Sequence, residues 1–124
     1  QDKLPLHNHS VFFCGNFGSS RKDLQSLAKE AGAKILTSSA GIASQASKGS
    51  SKVVLICHDT PTGSIIPAAL GKEVKGALHN DPSCVLVVNP QWISESITCA
   101  EALSSKEFAP MNAKAKELWK LGNP

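Results

Sequence analysis

The hydrophobic pattern of the chain is sharpest at Val85-Leu86-Val87-Val88, an apolar run with no polar face. Such a run predicts a strand buried on both sides, as the inner strands of a parallel sheet are. Asn89 follows, with a side chain able to accept at a helix N-cap, and then Pro90, whose missing N–H costs nothing at a first helical position. Trp92, Ile93, Ser96 and Ile97 share one helical face. A strand that turns directly into a helix is predicted, with the indole packed inward beneath a small hydroxyl one turn later.

The same reading extends along the chain. Residues 1–9 are polar, with Pro5 and two histidines, and read as a linker leading into the domain, although Leu4 and Leu6 are able to dock. Ser10-Val11-Phe12-Phe13-Cys14 predicts a first strand, ended by Gly15-Asn16-Phe17-Gly18. A helix follows, with Ser20 and Asp23 at capping-box spacing, an apolar stripe of Leu24, Leu27, Ala28 and Ala31, and Gly32 as its C′ residue. Lys34-Ile35-Leu36 is a short second strand and Val53-Val54-Leu55-Ile56-Cys57 a third, apolar on both faces. Between them, Thr37 to Lys52 is almost entirely Ser, Ala, Gly, Gln and Lys and predicts a flexible loop. A short helix carrying Val74, Ala77 and Leu78 is expected beyond Pro67, stopped at His79-Asn80-Asp81-Pro82. Cys99 to Phe108 reads as a connector. Pro110 is placed to start a last helix with Leu118, Trp119 and Leu121 on one side.

Strands alternating with helices imply an α/β fold with a parallel sheet covered on both sides. For all four strands to run parallel, the second and third must flank the first. The length of 124 residues is that of one domain able to bury a core without disulfides or metal. Hydrophobic residues at 41% and charged residues at 19% fit an ordinary globular domain, and no apolar run is long enough to cross a bilayer, so no membrane partner is expected. The start at Gln1 predicts a fragment of a longer protein.

The net charge of +3 is spread over Arg21-Lys22, Lys48, Lys52, Lys72, Lys75 and the Lys114-Lys116-Lys120 tail, so charge alone does not predict nucleic-acid binding. Cys14, Cys57, Cys84 and Cys99 lack close pairing and read as buried thiols rather than disulfides or a zinc site. Cys57-His58-Asp59 has the composition of a nucleophile, base and orienter, but adjacent residues at a strand end point to different faces and form no relay. Gly15-Asn16-Phe17-Gly18 is too short for a nucleotide loop, and His7 and His9 have no third ligand nearby. Neither catalysis, a cofactor nor a metal is expected.

With this element order, the Gly15 turn, Gly32-Ala33 closing the first helix, and Trp92-Ile93-Ser94-Glu95-Ser96, the chain resembles a BRCT domain, the module named for the C-terminus of the breast-cancer susceptibility protein. The resemblance covers Ser10 to Phe108, with residues 109–124 as a C-terminal helical tail, and implies a three-layer fold with the strand order 2-1-3-4. Gly15, Gly32, Trp92 and Ser96 are its structural anchors. The Phe12-Phe13-Cys14-Gly15-Asn16-Phe17 start and the long polar loop are most similar to the second repeat of a tandem pair, as in that protein and its RING-domain partner. The resemblance implies a noncatalytic interaction module of a nuclear DNA-damage-response or chromatin protein, whose partners are a phosphorylated protein or peptide and an adjacent BRCT repeat in the parent chain.

In phosphopeptide-binding members a hydroxyl before the turn glycine, that glycine's N–H and a lysine of the second helix hold the phosphate. The positions implied here are Cys14, Gly15 and Lys75, with Lys72 one turn away as a substitute. The cysteine is a poor donor, so the domain reads as incomplete as a stand-alone phosphate reader. A specificity pocket is implied at Ser19 and Ser20 in the first loop and at Pro90 and Ser94 flanking Trp92. Both serines of the loop also have a plainer reading in helix capping and solvent exposure. Two rival functions stay open: direct DNA binding, with Arg21, Lys22, Lys72 and Lys75 as phosphate clamps, and a structural or dimerisation role.

Overall fold

A computed structural model describes residues 4–15, 17–36, 42, 52–58, 66–81 and 85–123. Its sheet has four parallel strands: β1 (His9–Cys14), β2 (Lys34–Leu36), β3 (Lys52–Cys57) and β4 (Val85–Val88), in the order β2-β1-β3-β4. The predicted order is therefore found. Register is set by the pairs Val11↔Ile35, Val11↔Val54 and Val54↔Leu86.

The helices form the two outer layers: α1 (Ser20–Glu30), α2 (Ala68–Asn80), α3 (Gln91–Thr98) and α4 (Ala113–Gly122). Alternation along the central strand divides the core. Val53, Leu55 and Cys57 face a cluster with Leu70, Val74 and Leu78 of α2 and Ala115 and Leu118 of α4. Val54 and Ile56 face the other cluster, with Ala28 of α1 and Trp92 and Ile93 of α3. Residues 53–57 are wholly buried, as a strand covered on both sides must be.

Helix α1 ends in the predicted way. Gly32 has φ +100°, its N–H donates to the Lys29 carbonyl and the Ala33 N–H to that of Ala28, the paired bonds of a Schellman motif. A Cβ on Gly32 would lie 2.8 Å from Leu4 Cβ, so this glycine also lets the lead-in segment pass. Leu6 is fully buried there, and its N–H donates to the Ala31 carbonyl at 2.8 Å.

The start of α1 differs from the expectation. No Ser20–Asp23 capping box forms: the helix begins at Ser20, and Ser19 at the cap position has helical dihedrals and makes no side-chain cap bond. The first donors are already used, because the Ser20 and Arg21 N–H groups donate to the carbonyls of Phe17 and Gly18. Helix α2 is longer than predicted, running from the residue after Pro67 to Asn80. Helix α4 starts not at Pro110 but after Asn112, whose Oδ1 accepts from the N–H groups of Lys114 and Ala115. Cys99 is exposed, whereas Cys14 and Cys57 are buried as expected. Cys84 and Asp59 lie outside the described residues, as does the predicted flexible loop apart from Lys52, which opens β3, and Ile42, which is helical and buried.

At the head of α3, Asn89 Oδ1 accepts from the Gln91 N–H at 3.0 Å and Pro90 already has helical dihedrals. Trp92 and Ser96 are wholly buried one turn apart. Both reach the same backbone: the Trp92 indole N–H donates to the Leu103 carbonyl at 2.9 Å, and Ser96 Oγ accepts from the Leu103 N–H at 3.2 Å. Helix α3 ends with the bonds Ala100 N–H to Ile97 and Glu101 N–H to Ser96, again a Schellman pair, but its C′ residue is Ala100 at φ 57°.

Three stability predictions follow from this geometry, all readable by urea unfolding. Trp92→Phe keeps a ring but leaves the Leu103 carbonyl without its donor, and is expected to cost about 1–3 kcal/mol. Gly32→Ala meets both the positive φ and Leu4, and should cost more than about 1 kcal/mol. Ala100→Gly should instead stabilise by up to about 1 kcal/mol, the left-handed penalty of a side chain less the added freedom of glycine in the unfolded chain.

Candidate functional site

Burial of one stripe of α2 dictates what its other face presents. Leu70, Val74 and Leu78 turn into the core, which leaves Lys72 and Lys75 exposed on the outer surface. On α4, Ala115 and Leu118 are buried, and Lys114 and Glu117 beside them are exposed. The two helices pack side by side. Between them opens a cleft of about 350 Å³ lined by Lys72, Lys75 and Lys114, with Glu117 among them. Ile66, Pro67 and Leu118 supply its apolar surface.

The structure thus brings together the two lysines singled out in the sequence and adds a third from the tail. Cys14 and Gly15 stand apart from this lining. Cys14 is 1% exposed and packs in the core beneath α2 and α4, while its carbonyl accepts from the His58 N–H. Gly15 turns the chain at φ +105°.

The predicted specificity residues divide in the same way. Ser20 and Pro90 line a common cleft of about 410 Å³ with Phe17, Asp23, Leu24 and His58. Ser19 and Ser94 are exposed and lie outside its lining. Sequence reasoning missed the two rings of this cleft. Phe17 meets His58 edge to face with centroids 5.1 Å apart, and Phe13 packs edge-on against Phe17 at 5.4 Å. Phe17 was legible only as part of a turn, since its partner lies beyond the end of another strand. Lys114 was missed for a similar reason: it stood as one basic residue of a tail, and only the packing of α4 on α2 gives it a place.

Among the described residues no group of three His, Cys, Asp or Glu side chains could hold a metal ion, and no helix is long and apolar enough to cross a membrane. His9 engages the His7 carbonyl through Nδ1 and lies 6.2 Å from the Trp92 ring, contacts that tie it into the fold.

A parallel four-stranded sheet between two helical layers defines a small α/β module. The family model of the BRCA1 C Terminus (BRCT) domain matches residues 2–97, and the chain belongs to that family. Domains of this family are in general noncatalytic protein–protein interaction modules of DNA-damage-response proteins, and bind proteins or DNA. No curated protein and no solved structure matches the chain. Helix α4, which forms one wall of the lysine cleft, lies beyond the matched residues.

The placement of that wall depends on Asn112, which is 1% exposed and caps α4. Asn112→Ala is expected to lower stability by about 1 kcal/mol, and Asn112→Asp to retain most of it, as measured by thermal unfolding.

Proposed function

We propose that this BRCT domain is a noncatalytic reader of phosphorylated protein segments in a nuclear DNA-damage-response or chromatin protein, acting with a preceding BRCT repeat as the second member of a pair. The observation that carries this reading is the pairing of Lys72 and Lys75 on one open cleft at the surface of α2. Two ammonium groups on adjacent turns match a phosphate dianion, and each remains solvated until the ligand arrives.

The alternative of a DNA-binding face using Arg21, Lys22, Lys72 and Lys75 draws less support. Arg21 and Lys22 belong to α1, over one face of the sheet, and Lys72 and Lys75 to α2, over the other.

The whole chain, titrated with short phosphoserine peptides of degenerate flanking sequence and with their unphosphorylated counterparts, should bind only the former. Lys75→Ala, and next Lys72→Ala, should weaken binding by about three- to fivefold each, the upper part of the range of a solvent-exposed ion pair. Equal affinity for both peptide sets would overturn the reading. Steeply salt-dependent binding of duplex DNA without peptide preference would transfer the function to DNA.

A further inference from the structure

Helix α4 does more than cover the sheet. We propose that it completes the anion site, so that Lys114 joins Lys72 and Lys75 in holding the phosphate of a phosphorylated peptide, with an aliphatic side chain beside it resting on Ile66 and Leu118. This inference rests on the phosphopeptide reading above and extends it to a helix outside the family match.

Three cations converge on this cleft. Lys72 and Lys75 are three apart on α2, a spacing at which like charges face each other and weaken a helix. Lys114 lies in the first turn of α4, where the helix dipole disfavours a cation. Neither α2 nor α4 carries an acidic residue in its first turn to offset its positive end. Helix position is thus unfavourable for Lys72 beside Lys75, and at Lys114 the dipole is offset only in part by Glu117, yet the fold brings all three lysines to one cleft. A bound anion reverses the sign of these terms at once.

The cleft also limits which anion fits. Its volume of about 350 Å³ accommodates a phosphate and one neighbouring side chain. Glu117 stands in the same lining, three residues after Lys114. Its carboxylate partly balances Lys114 and repels a second anionic group alongside the first. A run of acidic residues or a nucleic-acid backbone presents such repeated charge, whereas a single phosphoserine or phosphothreonine does not. The apolar surface of Ile66, Pro67 and Leu118 beside the lysines suits an aliphatic neighbour.

The test compares two lysines of the same helix. Lys114 lines the cleft, while Lys116, also exposed, does not. With the whole chain and short peptides carrying a central phosphoserine between degenerate flanks, Lys114→Ala should weaken binding about three- to fivefold, as Lys72→Ala does. Lys116→Ala should bind as the parent chain does, and peptides selected from the mixture should be enriched in aliphatic residues next to the phosphoserine. Urea unfolding should find Lys114→Ala no less stable than the parent, so a loss of affinity cannot be a loss of fold. Parent-like binding by Lys114→Ala, alongside weakened Lys72→Ala and Lys75→Ala, would overturn the role of α4 and leave the phosphopeptide reading standing. Equal losses from Lys114→Ala and Lys116→Ala would reduce the effect to general charge and overturn the inference. Absence of any phosphate dependence, or preference for a 5′-phosphorylated duplex over the peptides, would overturn both readings.

Discussion

Leu103 is held from both sides by one helix. Its carbonyl takes the indole N–H of Trp92 and its N–H goes to the hydroxyl of Ser96, one turn further along α3. Both side chains are wholly buried, so the indole N–H and the hydroxyl have no water as an alternative partner. A buried polar group left unsatisfied costs about 1–3 kcal/mol, a large fraction of what a domain of this size has to spare. The consequence reaches beyond α3. Two residues on, the Ser105 carbonyl accepts the indole N–H of Trp119 from α4, and the Phe108 carbonyl accepts the Asn89 N–H at the end of β4. The stretch from Leu103 to Phe108 is thereby fixed to α3, β4 and α4, and it is the stretch that delivers the last helix to the face of α2.

That delivery turns a surface into a cleft. The exposed lysines of α2 would otherwise stand on an open helix face with nothing opposite them. With α4 alongside, they face Lys114 and Glu117 across an apolar base. The domain thus uses its interior for position and its charged exterior for recognition, and the same helix serves both: Ala115 and Leu118 pack inward while Lys114 and Glu117 look out.

Much of this architecture was legible in the residues themselves. The apolar runs of β3 and β4 have no polar face and marked both as strands covered on two sides, although β4 lies at the edge of the sheet and only β3 in its interior, and Gly32 marked its helix end because glycine suits φ +100° there. Trp92 and Ser96 were readable as one inward face. Their common partner was not, because Leu103 carries no side-chain signal and offers only its backbone. The end of α3 was obscure for the opposite reason, since its left-handed C′ position holds Ala100 in place of a glycine. At the site, Lys72 and Lys75 were found through the resemblance and through their outward spacing. Lys114 and the Phe17–His58 contact depend on packing between elements far apart in sequence, which no local pattern encodes.

Native-state hydrogen exchange at two protons reads the central interaction most directly: the indole N–H of Trp92 and the backbone N–H of Leu103. The account predicts that both exchange as slowly as the amides of β3, opening only with the whole domain. Rapid exchange of either proton, while the amides of β3 and α3 stay protected, would show that the grip on Leu103 does not hold the fold together.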